Sequence, residues 1–577
     1  MAGKGPRPTR RMGARAALTR LAERRLVFGG EAAREKRDAL DVLAATPLAR
    51  ADDVLHLHEL LLFLRAYPDD EAVLERAESL LQGFEQRNDL ERFRDRLADS
   101  GIAGTTIHYA FFFYTARRLA RRYPGRLHIE WHELESGSTI ADRMWLLMPY
   151  TEELALAKLD LTAEQQVRML KGPHQTGAEF LFARFDAWDV EPFTKEKLVD
   201  DLVVPLRLEP GPETPSRTKA RVPVRRVHYQ TGPLDLSRPD LGKVLREPPD
   251  FVREVRGREA EALVEMSRDA MVTRSRDLDA FLHADAADVR RIGWDDGLEL
   301  VALGVVPERR MLLETLYGFI TVKNGVPIGY VLATAWNASS EIMYNVFEAN
   351  RGAEAARIYG RILSAVHHLL GSTAFTVDPY QLGHDNSEGL ASGAWWFYRK
   401  LGFESLDPEI RRLERDERKR MKTRPGHRST PATLQALSAE NMYWFADGQR
   451  DDVIGLFELT NVSLGAARHL ARRFGGDCER GVATLVEEAS ELLDVRSQRG
   501  WSAAERQAFE RWAPIVTALP GVRRWGLEAR RELGAIVRAK GGRRESEFAV
   551  RLNRHTQARR ALVAFSQADH ESDILEA

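Results

Sequence analysis

Tyr317-Gly318-Phe319-Ile320-Thr321-Val322, then Lys323-Asn324-Gly325-Val326, then Pro327 through Trp336: two apolar, β-rich runs meet at Asn324-Gly325. Asn-Gly supplies the positive-φ positions of a two-residue turn, so the stretch predicts an antiparallel hairpin. Glu341 to Phe347 follows, alternating Ile342, Tyr344 and Val346 with Glu341, Met343 and Asn345, and predicts a further strand that stops at Asn350-Arg351-Gly352. From Glu354, Ala355, Ile358, Ile362, Val366 and Leu369 recur at helical spacing up to Gly371. Phe375-Thr376-Val377 predicts a short buried strand. Ala391, Ala394, Trp395, Tyr398 and Leu401 then predict one more helix, stopped by Gly402, with Phe403 opening a last strand.

Three local matches in this order of elements resemble the GNAT acyltransferase superfamily. Asn345-Val346-Phe347-Glu348-Ala349-Asn350-Arg351-Gly352 resembles the end of that family's fourth strand and its pyrophosphate loop. Phe397-Tyr398-Arg399-Lys400-Leu401-Gly402-Phe403 resembles its late helix-to-strand ending, and Glu341 stands where many members carry an acidic residue. The resemblance covers roughly residues 250 to 415. It implies a mixed, mostly antiparallel α/β domain with helices on both faces, and acyl transfer from acetyl-CoA or another acyl-CoA to an amine of a small molecule or protein. Val346 and the loop Asn350, Arg351, Gly352, Ala353, Glu354, Ala355 and Ala356 would hold the acyl-CoA. Tyr398 would protonate the departing thiolate, and Glu341 would take the amine proton.

The chemistry asks for such residues on its own account. A helix N-terminus offers unpaired N–H groups and the positive end of its dipole to a pyrophosphate. The attacking amine needs a base and the leaving thiolate an acid. Competing readings stand beside these: Tyr398 as a core aromatic, Glu341 as a solvated strand residue, and the domain as a catalytically inactive binding or assembly scaffold. Aminoacyl transfer from a charged tRNA is a third.

Around this centre the 577-residue chain has room for several domains. The expected division is a basic, disordered tail over 1–35, a mainly helical domain over 36–205 and a Pro-rich linker over 206–250. The GNAT-like domain over 251–415, a charged linker over 416–434 and a helical domain over 435–565 complete it. The segment Leu278 to Val289 is expected to supply early helices of the central domain. Either helical region could bind a protein partner or a second copy of the chain. Net charge is −1, which gives no global attraction to nucleic acid. The single cysteine, Cys478, excludes an intrachain disulfide framework and fits a cytoplasmic setting. No apolar run approaches the ~18 residues of a membrane span, so no membrane is expected. His128, Glu130 and His132 alternate as ligands on a strand would, but read better as an outward polar face, and no metal is expected.

Overall fold

The structure, a computed structural model, describes residues 12–134, 137–456 and 458–568. Two compact units divide the chain. The first gathers everything up to Leu234 together with Ala262–Leu282 and Lys323–Pro327; the second comprises Asp235–Glu261, His283–Val322 and the chain from Ile328 onward. The whole is mixed α/β. Among the described residues no helix is long and apolar enough to cross a membrane.

In the first unit, helices Ala14–Arg24, Gly30–Ala45, Ala51–Ala66 and Glu71–Gln82 pack through stripes such as Val73, Ala77, Leu80 and Leu81. The expected disordered tail is therefore helical from Ala14. Leu18 and Leu21 are buried, so Arg15, Arg20 and Arg24 belong to an amphipathic helix; Arg7, Arg10 and Arg11 lie outside the described residues. Asp70 caps the Glu71 helix by accepting from Val73 N–H at 2.8 Å. Its neighbour Asp69 is turned inward against Lys36, 2.7 Å away, with both side chains essentially unexposed. Strands Ile107–Tyr109, Leu127–Ile129 and Leu206–Leu208 form a small antiparallel sheet with the last in the middle.

That central strand corrects the linker expected from residue 206. The prolines after it do break regular structure, but the segment stays attached: Thr218 is buried, its Oγ1 2.8 Å from His58 Nε2 and its carbonyl accepting from Arg65. Burial depresses the His58 imidazole to about 3, so it sits there neutral.

The second unit is built on a nine-stranded sheet. Its strands in chain order are β1 Phe251–Val255, β2 Ala284–Gly293, β3 Leu298–Val305, β4 Thr315–Lys323, β5 Val326–Trp336, β6 Ser339–Val346, β7 Ala374–Val377, β8 Glu404–Ser405 and β9 Met442–Phe445. Across the sheet they run β8-β9-β7-β6-β5-β4-β3-β2-β1. The β4–β5 turn has Asn324 at φ +48° and Gly325 at +80°, as the Asn-Gly pair predicts. A second two-residue turn, Asn337-Ala338, joins β5 to β6, also at positive φ.

Two expectations fail here for one reason, tertiary context overriding local preference. Ala284-Asp-Ala-Ala-Asp-Val289 has a helical composition, yet only Asp279–Leu282 is helical and Ala284–Gly293 pairs with β1 and β3. Residues 416–434 are not a linker: helix Pro408–Thr423 runs into them, and Met442–Phe445 beyond inserts between β7 and β8. The C-terminal helices then share one core with the sheet region, Trp512, Phe509, Leu533 and Leu562 packing in the same cluster as Leu313 and Trp336.

Asp288, at a bulge in β2, accepts hydrogen bonds from the Tyr317 hydroxyl and the Glu545 N–H. Gly304 on β3 leaves room for that carboxylate, since a Cβ there would stand 2.4 Å from Asp288 Oδ2. Gly304→Ala is therefore expected to destabilise the second unit by about 1–3 kcal/mol, as overpacking of a tight core does, seen as a lower denaturation midpoint.

Candidate functional site

The sheet forks between β6 and β7. These two strands are parallel and pair over only three residues, Ser339 with Ala374, Ser340 with Phe375 and Glu341 with Thr376. β7 ends at Val377, where Asp378 caps a short helix, α1 (Pro379–Leu382), while β6 continues to Val346. The β5–β6 pairing is unbroken from Gly329–Val346 to Trp336–Ser339. In that register Ile342, Tyr344 and Val346 direct their backbone groups away from β5 and into the fork. One of them is met by a side chain: Tyr344 N–H donates to Gln381 Oε1 of α1 at 3.3 Å.

Past β6 the chain makes a one-turn 3-10 helix, Glu348–Asn350, and passes Gly352 at φ +80° before entering α2 (Ala355–Leu370). Gly352 and Gly371 (φ +73°) are the loop and terminal glycines where only positive φ will serve. Glu354 is the N-cap of α2 but makes no capping bond. It is buried, and its carboxylate accepts from Arg357 at 2.9 Å. Among the described residues the N–H groups of Ala356 and Arg357 meet no protein acceptor, so the first turn of α2 keeps its donors. Asn350 is buried with its Oδ1 making no hydrogen bond. Arg351 is exposed and paired with Glu388. Ala353 is buried, Ala355 and Val346 partly so.

Tyr398 lies on α4 (Ala394–Lys400), which Gly393 (φ +68°) separates from α3 (Ser387–Ser392). The single helix expected across Ala391–Leu401 is thus two, because Gly393 takes a left-handed conformation that ends the first. The Tyr398 ring meets Tyr359 of α2 edge-on at 5.4 Å and Phe403 at 5.9 Å, and Tyr344 of β6 stands 5.7 Å from Tyr359. Burial pushes all three phenols above their ordinary range. The Tyr359 hydroxyl is buried without a hydrogen-bond partner. Tyr344 is one of the alternating apolar positions that predict β6, whereas Tyr359 is not among the stripe residues Ala355, Ile358, Ile362, Val366 and Leu369 and has no signal of its own in the sequence.

Glu341 is the last β6 residue paired to β7 and so stands at the vertex of the fork. Three positions separate it from Tyr344, so in a strand without a bulge it faces the other side of the sheet from the tyrosines. There it lies in a cross-strand row with Thr334, Thr376 and Tyr443. Tyr443 donates to Gly455 O at 2.9 Å, and Thr376 Oγ1 to Ile454 O at 2.8 Å. Burial, then the nearby carboxylates of Asp378 and Glu314, push the Glu341 carboxyl up to about 7. Burial likewise lifts the Tyr443 phenol to about 12.

The fold therefore gathers Val346, the 350–356 loop, Tyr398 and Gln381 around the open edge of β6, and sets Glu341 at the vertex on the opposite face. His128, Glu130 and His132 are not gathered into one site: strand Leu127–Ile129 ends before His132, and Arg207 engages Glu130. Among the described residues no group of three or more His, Cys, Asp or Glu is placed to hold a metal ion. Cys478 is exposed. No family model, curated protein or solved structure matches the chain.

Proposed function

We propose that the second unit is a GNAT-like N-acyltransferase that takes an acyl group from acetyl-CoA or another acyl-CoA and passes it to an amine. The observation that carries this reading is the fork: a parallel strand pair whose ladder stops at Glu341, leaving an edge of β6 that one side chain, Gln381, meets, followed in the chain by a helix N-terminus without a side-chain cap. A pantetheine-like chain with amide groups can pair with the backbone of Val346 and, by displacing Gln381, with that of Tyr344, as a third strand does. The pyrophosphate then meets the N–H groups at the start of α2, where the helix dipole favours negative charge. Glu354 does not oppose this, since its carboxylate is turned inward to Arg357.

Past the Glu341–Thr376 pair no backbone ladder joins β6 to β7. A thioester seated in the gap has the tyrosine cluster on one side and Glu341 on the other. The amine nitrogen attacks the thioester carbon, giving its proton to the Glu341 carboxylate; the C–S bond breaks and the thiolate takes a proton from the Tyr398 hydroxyl. A carboxyl pushed up to about 7 is matched to a base working at neutral pH, and burial keeps the Tyr398 phenol protonated, so it has a proton to give.

The test is calorimetric titration with acetyl-CoA, beside an Ala356→Asp variant. Aspartate in the first turn of a helix suits the helix dipole, so the fold is kept, yet it places a like charge against the pyrophosphate. Binding is expected to weaken by about tenfold or more, equivalent to ~1.4 kcal/mol. No heat and no thermal shift with acetyl-CoA or longer acyl-CoAs would sink the reading in favour of a binding scaffold or a charged-tRNA donor.

A further inference from the structure

At the far end of α2 from the loop, a separate pocket of about 520 Å³ opens within the second unit. Its floor is the β1–β2 end of the sheet, with Val252, Arg290 and Ile292. One wall is the last turns of α2, with Ala365, His368 and Leu369. The other wall is formed by α5 (Leu527–Lys540) and α6 (Glu545–Arg554), which contribute Glu532, Ser546, Val550, Arg551 and Arg554.

The polar groups here are not arranged as an ordinary surface. Arg290 is 7% exposed. Its guanidinium makes one hydrogen bond, Nη2 to Ser546 Oγ at 3.1 Å, and its Nη1 stands 3.5 Å from Asp288 Oδ1 with no hydrogen bond of its own. A cation held at the bottom of a cleft with most of its donors unused is an electrostatic anchor rather than a packing element. Four arginines, 290, 544, 551 and 554, line the pocket; glutamates 532 and 547 on its wall and Asp288 and Glu254 beside it partner the first three, which leaves Arg554 as the cation to spare. Glu532 is taken by Arg551 at 2.9 Å, and Glu547 by Arg544, which also holds Glu254. The Arg554 side chain makes no hydrogen bond or ion pair with any described residue. His368 Nδ1 is 2.8 Å from Ser364 O, which leaves Nε2 for a ligand. Between these groups the surface is aliphatic: Val252, which is 55% exposed, with Ile292, Ala365, Leu369 and Val550.

We infer that this pocket binds a small carboxylate with an apolar body, its carboxylate toward Arg290 and Arg554 and its hydrocarbon along Val252, Leu369 and Val550. A volume of a few hundred Å³, mostly apolar walls and a few convergent charged groups make up the ordinary construction of a small-molecule site. Arg554 and the spare donors of Arg290 select an anion, and the exposed Val252 gains from being covered. The site is independent of the acyltransferase reading: it shares only α2 with the fork, and that helix separates them by most of its length, about 1.5 Å per residue.

The probe is octanoate, titrated into the full-length protein by calorimetry beside 1-octanol and inorganic phosphate, with Arg554→Glu and Val550→Trp variants. Arg554 is exposed and its side chain pairs with no described residue, so its reversal breaks no side-chain contact among them, and a circular-dichroism melt checks both variants. Octanoate is expected to bind saturably and at least tenfold more tightly than octanol or phosphate, with each variant weakening it by tenfold or more. Equal binding of octanol and octanoate, or octanoate binding untouched by both variants, overturns the proposal. Phosphate binding as tightly as octanoate also overturns it, because the apolar wall would then have no part.

Discussion

Replacing Lys36 by methionine is expected to destabilise the first unit by about 3–5 kcal/mol, the usual cost of leaving one member of a buried ion pair alone. The Lys36 ammonium lies 2.7 Å from Asp69 Oδ2, with 0% and 1% of the two side chains exposed. It also lies 4.4 Å from the centre of the Phe28 ring. Burial lowers the lysine's pKa while the Asp69 contact raises it, so the pair survives only as a pair. Methionine fills much of the same volume, and the loss therefore reports the stranded carboxylate rather than a cavity. A second change, Asp69→Asn, removes that charge while keeping an acceptor for Gly29 N–H, 2.9 Å from Asp69 Oδ1. The double variant is expected to recover most of the loss in a urea titration. Equal destabilisation of the single and double variants would show that the packing of the lysine stem, not the charge, carries the effect.

Under the proposed acyl transfer, Glu341→Gln has the largest expected effect on activity, a fall of about 10²–10⁴ in kcat/KM for removal of a general base. The wild-type rate has its own signature. A base whose carboxyl titrates near 7 must be ionised to work, so activity is expected to fall about tenfold per pH unit below 7 and to level off above it. Stability runs the opposite way. The folded pKa lies above the ordinary carboxyl value, so the protonated form is the one that the fold prefers. That preference is fully present at acid pH and is lost as pH rises through about 7. The glutamine variant, always neutral, is therefore expected to be more stable than wild type at pH 8 and to converge on it below about pH 4.5. A variant that loses activity without this crossover in thermal midpoint would place Glu341 outside the proton path.

The elements around the fork were legible because each has a local signal. Asn324-Gly325 dictates a turn, the alternation of Ile342, Tyr344 and Val346 dictates a strand, and the stripe ending at Gly371 dictates a helix. What could not be read depends on partners distant in sequence. β2 begins with an alanine- and aspartate-rich segment that is a strand because β1 and β3 flank it. β9 lies beyond a charged helix that looked like the end of the domain, and only its pairing with β7 and β8 gives it a place.

The same holds for the candidate site. The loop residues and Tyr398 carry a motif, but the raised carboxyl of Glu341 arises from burial and from Glu314 and Asp378, which no spacing rule connects. Gln381 meets the Tyr344 N–H only because β7 ends early. The 418–429 region is similar. Glu417 is buried and accepts from Ser429 at 2.7 Å and Arg420 at 2.7 Å, with His427 at 3.1 Å, so a stretch that reads as solvated charge is tied down.

The two margins of the nine-stranded sheet bear on how the molecule behaves in a crowd. A sheet of this width exposes two rows of backbone groups that could template pairing with another copy. At one margin β8 is two residues long, too short to seat a foreign strand. At the other, β1 carries Arg253 and Glu254 in its middle, and these are tied by ion pairs to Glu259, Arg543 and Arg544. A strand docking there would have to disrupt those pairs and bury their charges. Pairing with a strand of another copy is thus disfavoured at both margins of the sheet, at one by shortness and at the other by charge.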